Sequence, residues 1–372
     1  AQSDLTVSGT TTAEAGQTVT VSLNGKDYTT TVSADGSWTL NVPAADLAGF
    51  TDGSVTVTAS VNDKAGNPAS VDHNLAVDIT APAVTINTVA GDDVINIAEH
   101  GQAQIISGTA TGAAAGDKVT VTIGGQTYTT VLDAAGNWSV GVPASVISGL
   151  SDGTVTVTAS VTDAAGNTGT GTHNVTVDTG LPSVAFNAIS DDNVLNAVEK
   201  GQDLSVSGTS ANLAEGTVVT VTLNGKNYAA TTAADGTWSL TVPAADLAGL
   251  GQANYTLNAT ATNGVGNSVS NTANLLVDTA LPTVTINTVA GDNVINAAEV
   301  AAGQTLSGTV ANAEAGNTVT VTLGGNSYTA TVQNDLTWSV NVPSDVLTAL
   351  GNGSLSVTAT VTNGHGNTGT GE

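Results

Sequence analysis

Val119-Thr-Val-Thr-Ile-Gly-Gly-Gln-Thr-Tyr-Thr-Thr-Val-Leu132 carries apolar and hydroxyl side chains in alternation, with a glycine pair in the middle. Period two places Val119, Val121 and Ile123 on one face of a half-buried strand. Gly124-Gly125 then supplies two consecutive residues that take positive φ freely, as a tight two-residue hairpin turn requires. The same place reads Asn24-Gly25 and Asn224-Gly225 elsewhere in the chain, so two antiparallel strands are expected on either side of the turn.

Those parallels belong to a repeat. Trp38, Trp138, Trp238 and Trp338 are 100 residues apart, as are Tyr28, Tyr128, Tyr228 and Tyr328, and Pro43, Pro143, Pro243 and Pro343. A fixed period of this length marks head-to-tail copies of one module. The expected spans are 1–78, 79–178, 179–278 and 279–372. Ser8-Gly9-Thr10 lies one residue late against Ser107-Gly108-Thr109, so the first copy is expected to lack one residue in the loop that follows.

Working outward from the hairpin, the copy at 79–178 is expected to hold seven strands. Val84 and Ile86 open the first, and an acidic turn from Asp92 to Glu99 leads to a second at Gln104 to Gly108. The third and fourth flank Gly124-Gly125, and Trp138, Val140 and Val142 make the fifth. Pro143 to Gly149 suits one helical turn, with proline preset for its start. Val155, Val157, Ala159 and Val161 form the sixth strand, a loop follows at Asp163 to Asn167, and Val175 and Val177 close the seventh. Seven short strands per hundred residues, separated by turns, predict an all-β sandwich. The first copy is expected to lack its opening strand and the last its closing strand, leaving both end copies less stable than the middle two.

The composition narrows function. The chain has 31 acidic residues against five basic ones, all lysine, for a formal charge of -26. Nucleic acid and anionic lipid are poor partners for such a surface, because phosphate recognition relies on Lys and Arg. Zero cysteine excludes an inter-sheet disulfide and any thiolate site. No apolar run is long enough to span a bilayer, and Ala1-Gln2-Ser3-Asp4 does not read as a signal peptide. Trp38 alternates in register with Leu40 and Val42, which favours a core position over a platform for sugar rings. No Ser-His-Asp arrangement and no phosphate loop is present, so no enzyme is expected. His73, His100, His173 and His365 lack a spacing that suits zinc and are expected at the surface.

The acids fall at the ends of the sandwiches. Asp78, Asp178 and Asp278 each stand four residues before Pro82, Pro182 or Pro282. The turns after the first strand carry Asp92, Asn96 and Glu99, then Asp192, Asn196 and Glu199, then Asp292, Asn296 and Glu299. At the opposite end lie Asp63 and Asp163, with Asn263 and Asn363 in the last two copies; Asn67, Asn167, Asn267 and Asn367 follow four residues later. End-to-end stacking would bring the linker and turn of one copy against the opposite end of the next.

Calcium takes about six to eight oxygen ligands from carboxylates, amides and carbonyls, and crowded carboxylates repel one another inside a screening length of about 8 Å. Calcium at the junctions is therefore the expected cofactor. Turn formation alone accounts for Gly166 and Asn167 and does less for Glu99. Asn263 and Asn363 keep an oxygen but lose a charge, so their junctions are expected to bind calcium more weakly.

Val77-Asp78-Ile-Thr-Ala-Pro82, Gly91-Asp92-Asp-Val-Ile-Asn96-Ile-Ala-Glu99, Gly136-Asn-Trp138 and Thr162-Asp163-Ala-Ala-Gly-Asn167 recur in similar form along nearly the whole chain. With these motifs the chain resembles the bacterial immunoglobulin-like tandem domains of giant adhesins, of the biofilm-associated and non-fimbrial type exported by type I secretion. The resemblance implies an elongated rod of immunoglobulin-like sandwiches at the bacterial surface, with calcium stiffening the linkers and a distal region doing the adhering. Its partners would be neighbouring repeats and, through other regions of the parent protein, a host-surface or biofilm-matrix ligand. Repeats that bind a glycan or self-associate between cells are the alternative. Each unit would span roughly 40 Å and four on the order of 150 Å.

Overall fold

Alternating valine and threonine explains the strands: every second side chain is buried in Thr18–Leu23, Lys118–Ile123, Val218–Leu223 and Thr318–Leu323, and β-branched residues fit a pleated, half-buried surface. The computed structural model describes residues 3–372, which divide into two compact units, 3–179 and 180–372. The expected first span begins at Ala1 and Gln2, which lie outside the described residues.

In the first unit, β1 (Leu5–Thr10) pairs with β4 (Ser37–Val42). A second sheet runs β3 (Lys26–Thr31), β2 (Thr18–Leu23), β5 (Gly53–Asn62), β6 (Pro68–Val77), and α1 (Ala44–Leu47) follows β4. The residue missing from the first copy lies where expected. Thr11 and Gly16 donate their backbone N–H to Gly36 and Val32, while their counterparts one residue further apart, Ala110 and Gly116, donate to Gly136 and Leu132.

The same unit continues with β7 (Ala83–Ile86), β8 (Val94–Asn96), α2 (Ile97–His100), β9 (Gln104–Thr111), β10 (Lys118–Ile123), β11 (Gln126–Val131) and β12 (Asn137–Val142). It closes with α3 (Ala144–Ile147), β13 (Gly153–Thr162) and β14 (Thr168–Asp178). One sheet is β12-β9-β7 and the other β11-β10-β13-β14-β8. Gly124 and Gly125, at φ 56° and 75°, make the hairpin between β10 and β11, with Val121 opposite Tyr128. The seven expected strands are present.

β8 was not expected. It forms inside the acidic turn and runs parallel to β14, with Val177 opposite Ile95 and Asp178 opposite Asn96. Ile95 is fully buried and joins the core with Val119, Val121, Trp138, Val157 and Val175. The turn is thus anchored to the sandwich by an apolar plug, and its polar residues stay at the rim.

The second unit repeats this plan. Its sheets at 183–186, 204–211 and 237–242 and at 194–195, 218–223, 226–231, 253–262 and 268–277 enclose one core, and those at 283–284, 304–311 and 337–342 and at 318–323, 326–331, 357–362 and 368–371 enclose another. The strand at 368–371 corrects the expectation that the last copy lacks its closing strand: four residues of it are present and pair with 359–362. All four tryptophans are buried, as their alternation with inward-facing residues requires. No helix among the described residues is long and apolar enough to cross a membrane.

Candidate functional site

The acidic turns are built by their own polar residues. Asp92 Oδ1 accepts from the Val94 N–H at 3.0 Å. Asn96 caps α2, its Oδ1 accepting from the Ala98 and Glu99 N–H groups, and Glu99 Oε2 accepts from the Asn96 N–H at 3.1 Å. This reciprocal pairing is a capping box. It recurs with Asn196 and Glu199, and with Asn296 and Glu299, while Asp192 and Asp292 accept from Val194 and Val294. Glutamate at this place therefore has a turn-building role, and the spacing Asn-x-x-Glu is the signal that reveals it. The register of β8 on β14 brings Asp178 alongside this box in the second copy.

Asp93 sits at φ 64°, and its carboxylate accepts from the Val89 N–H at 2.8 Å and pairs with His173 Nε2 at 2.7 Å. Burial pushes that carboxyl up, yet the His173 and Val89 contacts outweigh it and leave Asp93 below the ordinary aspartate range. His173, His365 and His100 are all half-buried and hydrogen-bonded rather than freely exposed, His100 Nε2 lying 2.9 Å from the Leu150 carbonyl oxygen.

Within the first unit, the linker meets the far loop of the second copy. Asn167 Nδ2 donates to the Asp78 carbonyl at 3.1 Å and lies 3.3 Å from Asp78 Oδ1 and 3.1 Å from Asp163 Oδ2. Asp163 Oδ1 in turn accepts from the Asn167 backbone N–H at 2.8 Å. Partial burial raises the Asp163 carboxyl, but the two Asn167 donors prevail and hold it below its usual range. Asp78, Asp163 and Asn167 are thus brought together: the two carboxylates and the Asp78 carbonyl are hard oxygen donors of the type a calcium ion takes, and the Asn167 amide nitrogen faces them. Among the described residues no three histidine, cysteine or acidic side chains gather as a metal-binding group.

Two further acids brace the linkers and were not singled out in the sequence. Asp52 accepts from the Ile79 N–H at 2.7 Å and from the Thr80 hydroxyl, and Asp152 accepts from both the N–H and hydroxyl of Thr179 at 2.9 and 2.8 Å. Their signal is positional: both follow the helical turn and recur 100 residues apart.

In the second unit the far loops carry asparagine. Asn263 and Asn267 Nδ2 donate to the Gly180 carbonyl at 3.3 and 3.2 Å. Asn363 Oδ1 accepts from the His365 and Asn367 N–H groups, and Asn367 joins Ala197 to Asp278. The Ala280 N–H and the His365 imidazole hold the Asp278 carboxyl below its ordinary range.

A family model described as bacterial Ig-like domain matches residues 1–79 and 80–179. A Ca2+-stabilized adhesin that helps an Antarctic bacterium reach out and bind ice is 38% identical, over 99% of this chain and 93% of its own, with a TM-score of 0.43. A 1.5-MDa bacterial ice-binding adhesin is 33% identical, over 79% of this chain and 98% of its own, with a TM-score of 0.43. A bacterial immunoglobulin-like domain from the M. primoryensis ice-binding adhesin is 45% identical, over 27% of this chain and 100% of its own, with a TM-score of 0.23. Sequence identity, rather than superposition, carries these likenesses. Comparison with curated proteins gives no match. Domains of this family are structural and non-enzymatic. The tryptophan and the loop ending in Gly-Asn recur every 100 residues along the chain, and the chain belongs to the bacterial Ig-like domain family as a tandem array of its repeats.

Proposed function

We propose that this chain is a spacer segment of a large bacterial surface adhesin, a rod of four repeats at 1–78, 79–178, 179–278 and 279–372 that holds an adhesive region away from the cell. The carrying observation is the meeting of Asp78 with Asp163 and Asn167, which ties the exit of one repeat to the loop of the next. The family and the adhesins that share 30% or more of their residues with this chain support that role. The location is extracellular, and the partners are neighbouring repeats, with host-surface or biofilm-matrix contacts made by other regions of the parent protein. Burial of every tryptophan speaks against the alternative of a sugar platform on the repeats themselves.

Calcium is the ion we place at the junctions, where its double charge would cancel the repulsion between paired carboxylates. Asp78 and Asp163 supply charge, Asn167 orients them, and Asp52 fixes the path of the linker. The turns of the second to fourth repeats add Asp92, Asn96 and Glu99 and their counterparts as further oxygen donors, already ordered by the capping box. Asp178 and Asp278 hold the place of Asp78 at the later linkers, and Asn263, Asn267 and Asn363 the place of Asp163 and Asn167.

Calorimetric titration of the chain with calcium is expected to reveal sites with dissociation constants of about 10⁻⁴–10⁻³ M, the range of extracellular modules. Asp78→Asn combined with Asp163→Asn should remove one of them. Titration heats identical in the variant and the parent would contradict the assignment.

A further inference from the structure

The junction between the third and fourth repeats is chemically unlike the one between the first and second. Where the second repeat has Asp163, the fourth has Asn363, and where the first two have Ala65 and Ala165, the fourth has His365. Asn367 is buried to 1% exposure, and each of its polar groups is engaged. Its Oδ1 accepts from the Ala197 N–H at 2.8 Å, its Nδ2 donates to the Asp278 carbonyl at 2.9 Å, and its backbone N–H donates to Asn363 Oδ1 at 3.0 Å. The Asp278 carboxylate is also taken, by the Ala280 N–H at 3.0 Å and by His365 Nδ1 at 2.5 Å. Packing is close: a Cβ on Gly366, at φ 80°, would lie 3.0 Å from Asn196 Nδ2.

This donor set does not suit a calcium ion. Calcium needs several uncommitted oxygens. The Asp278 carbonyl accepts from Asn367 just as the Asp78 carbonyl accepts from Asn167, so that bond is common to both junctions. What differs is that Asn363 carries no charge, the Ala197 N–H takes the Asn367 amide oxygen, and an imidazole covers the one linker carboxylate. A cation entering the site would have to strip buried, satisfied hydrogen bonds, each costly to leave unmade.

We propose that the third and fourth repeats are joined without metal, by a lock in which Asn367 bridges the turn and the linker of the third repeat while His365 engages Asp278. The proposal takes Asp278 and Asn363 out of the calcium-binding set given above and rests on that reading only for the contrast between junctions. The rod would then keep one stiff joint when calcium is withdrawn.

The absence of cysteine allows spin labels to be placed without background. Thr39 and Ser139, and Ser239 and Ser339, are exposed and occupy matching strand positions either side of the two junctions. With labels on Thr39→Cys and Ser139→Cys, chelation should abolish the narrow distance peak by pulsed electron resonance. On Ser239→Cys and Ser339→Cys the peak should survive chelation, and should be lost in chelator when His365→Ala and Asn367→Leu are added. Alanine already occupies the His365 position in the first two repeats, so loss with His365→Ala alone would not come from misfolding. In the opposite direction, Asn363→Asp with His365→Ala should make the second pair respond to calcium.

Broadening of the 239/339 peak on chelation alone would overturn the lock and leave the calcium reading intact. Persistence of that peak in the His365→Ala and Asn367→Leu variant would also overturn it. An unresponsive 39/139 pair would instead overturn the calcium reading, with the lock still judged by its own variants.

Discussion

Valine in place of Gly108 is expected to unfold the second repeat. Gly108 lies opposite Trp138 in the register of β9 on β12, and the indole occupies the space a Cβ would need. A Cβ there would fall 2.5 Å from Trp138 Cζ2 and 2.0 Å from the Thr85 carbonyl oxygen. One neighbour is the largest core side chain of the repeat and the other is strand backbone, so neither yields cheaply. Expelling the indole forfeits about 3–5 kcal/mol, as removal of a buried aromatic does, and displacing β7 opens the sheet further. A domain of this size has about 5–15 kcal/mol in all. Urea unfolding followed by tryptophan fluorescence should show an early transition carried by one of the four tryptophans. Gly141→Val, on an exposed strand position with open space around its Cβ, should change stability by no more than about 0.5 kcal/mol. Equal midpoints for the two variants would contradict the packing.

Ile95→Ala carries the second large effect. Ile95 is fully buried between β14 and the core, and deletion of such a side chain costs about 2–5 kcal/mol. The loss is local in a telling way, because β8 is held to the sandwich by this plug and a short parallel pairing. Amides from 92 to 99 should exchange much faster, together with those of Val175 and Val177, while the β10–β11 hairpin stays protected. The capping box and the carboxylates it positions would then be scattered, so calcium should bind this turn less well. Unchanged exchange across 92–99 would show that the turn does not depend on its apolar anchor.

The parts of the fold that the sequence disclosed are those written in short-range pattern. Alternation in Val119 to Ile123 identified a buried face, Gly124-Gly125 identified the hairpin, and the period of Trp138 identified the repeat. β8 escaped because three residues, Val94-Ile95-Asn96, are too few for a period, and its pairing to Asp178 spans most of the repeat. The junction residues were legible by position, since loop order alone places Asp78 near Asp163 and Asn167, and Asp278 near Asn363. What those residues do to one another was not. Asn96 and Glu99 bond mainly within their own turn, Asp52 and Asp152 act through backbone donors of the linker, and His365 meets a carboxylate 87 residues away. Such pairings depend on atoms brought together by the folded chain, and residue spacing does not encode them. The matched family and the adhesin relatives agree with the motifs that first pointed to them.

Calcium as the clamp of carboxylate-bearing junctions is most directly tested by small-angle X-ray scattering of the chain in millimolar calcium and again after chelation. The account predicts a maximum dimension on the order of 150 Å with calcium, from strands of about 3.3 Å per residue, and a shorter, broader distribution without it. Superimposable curves in the two conditions would contradict it.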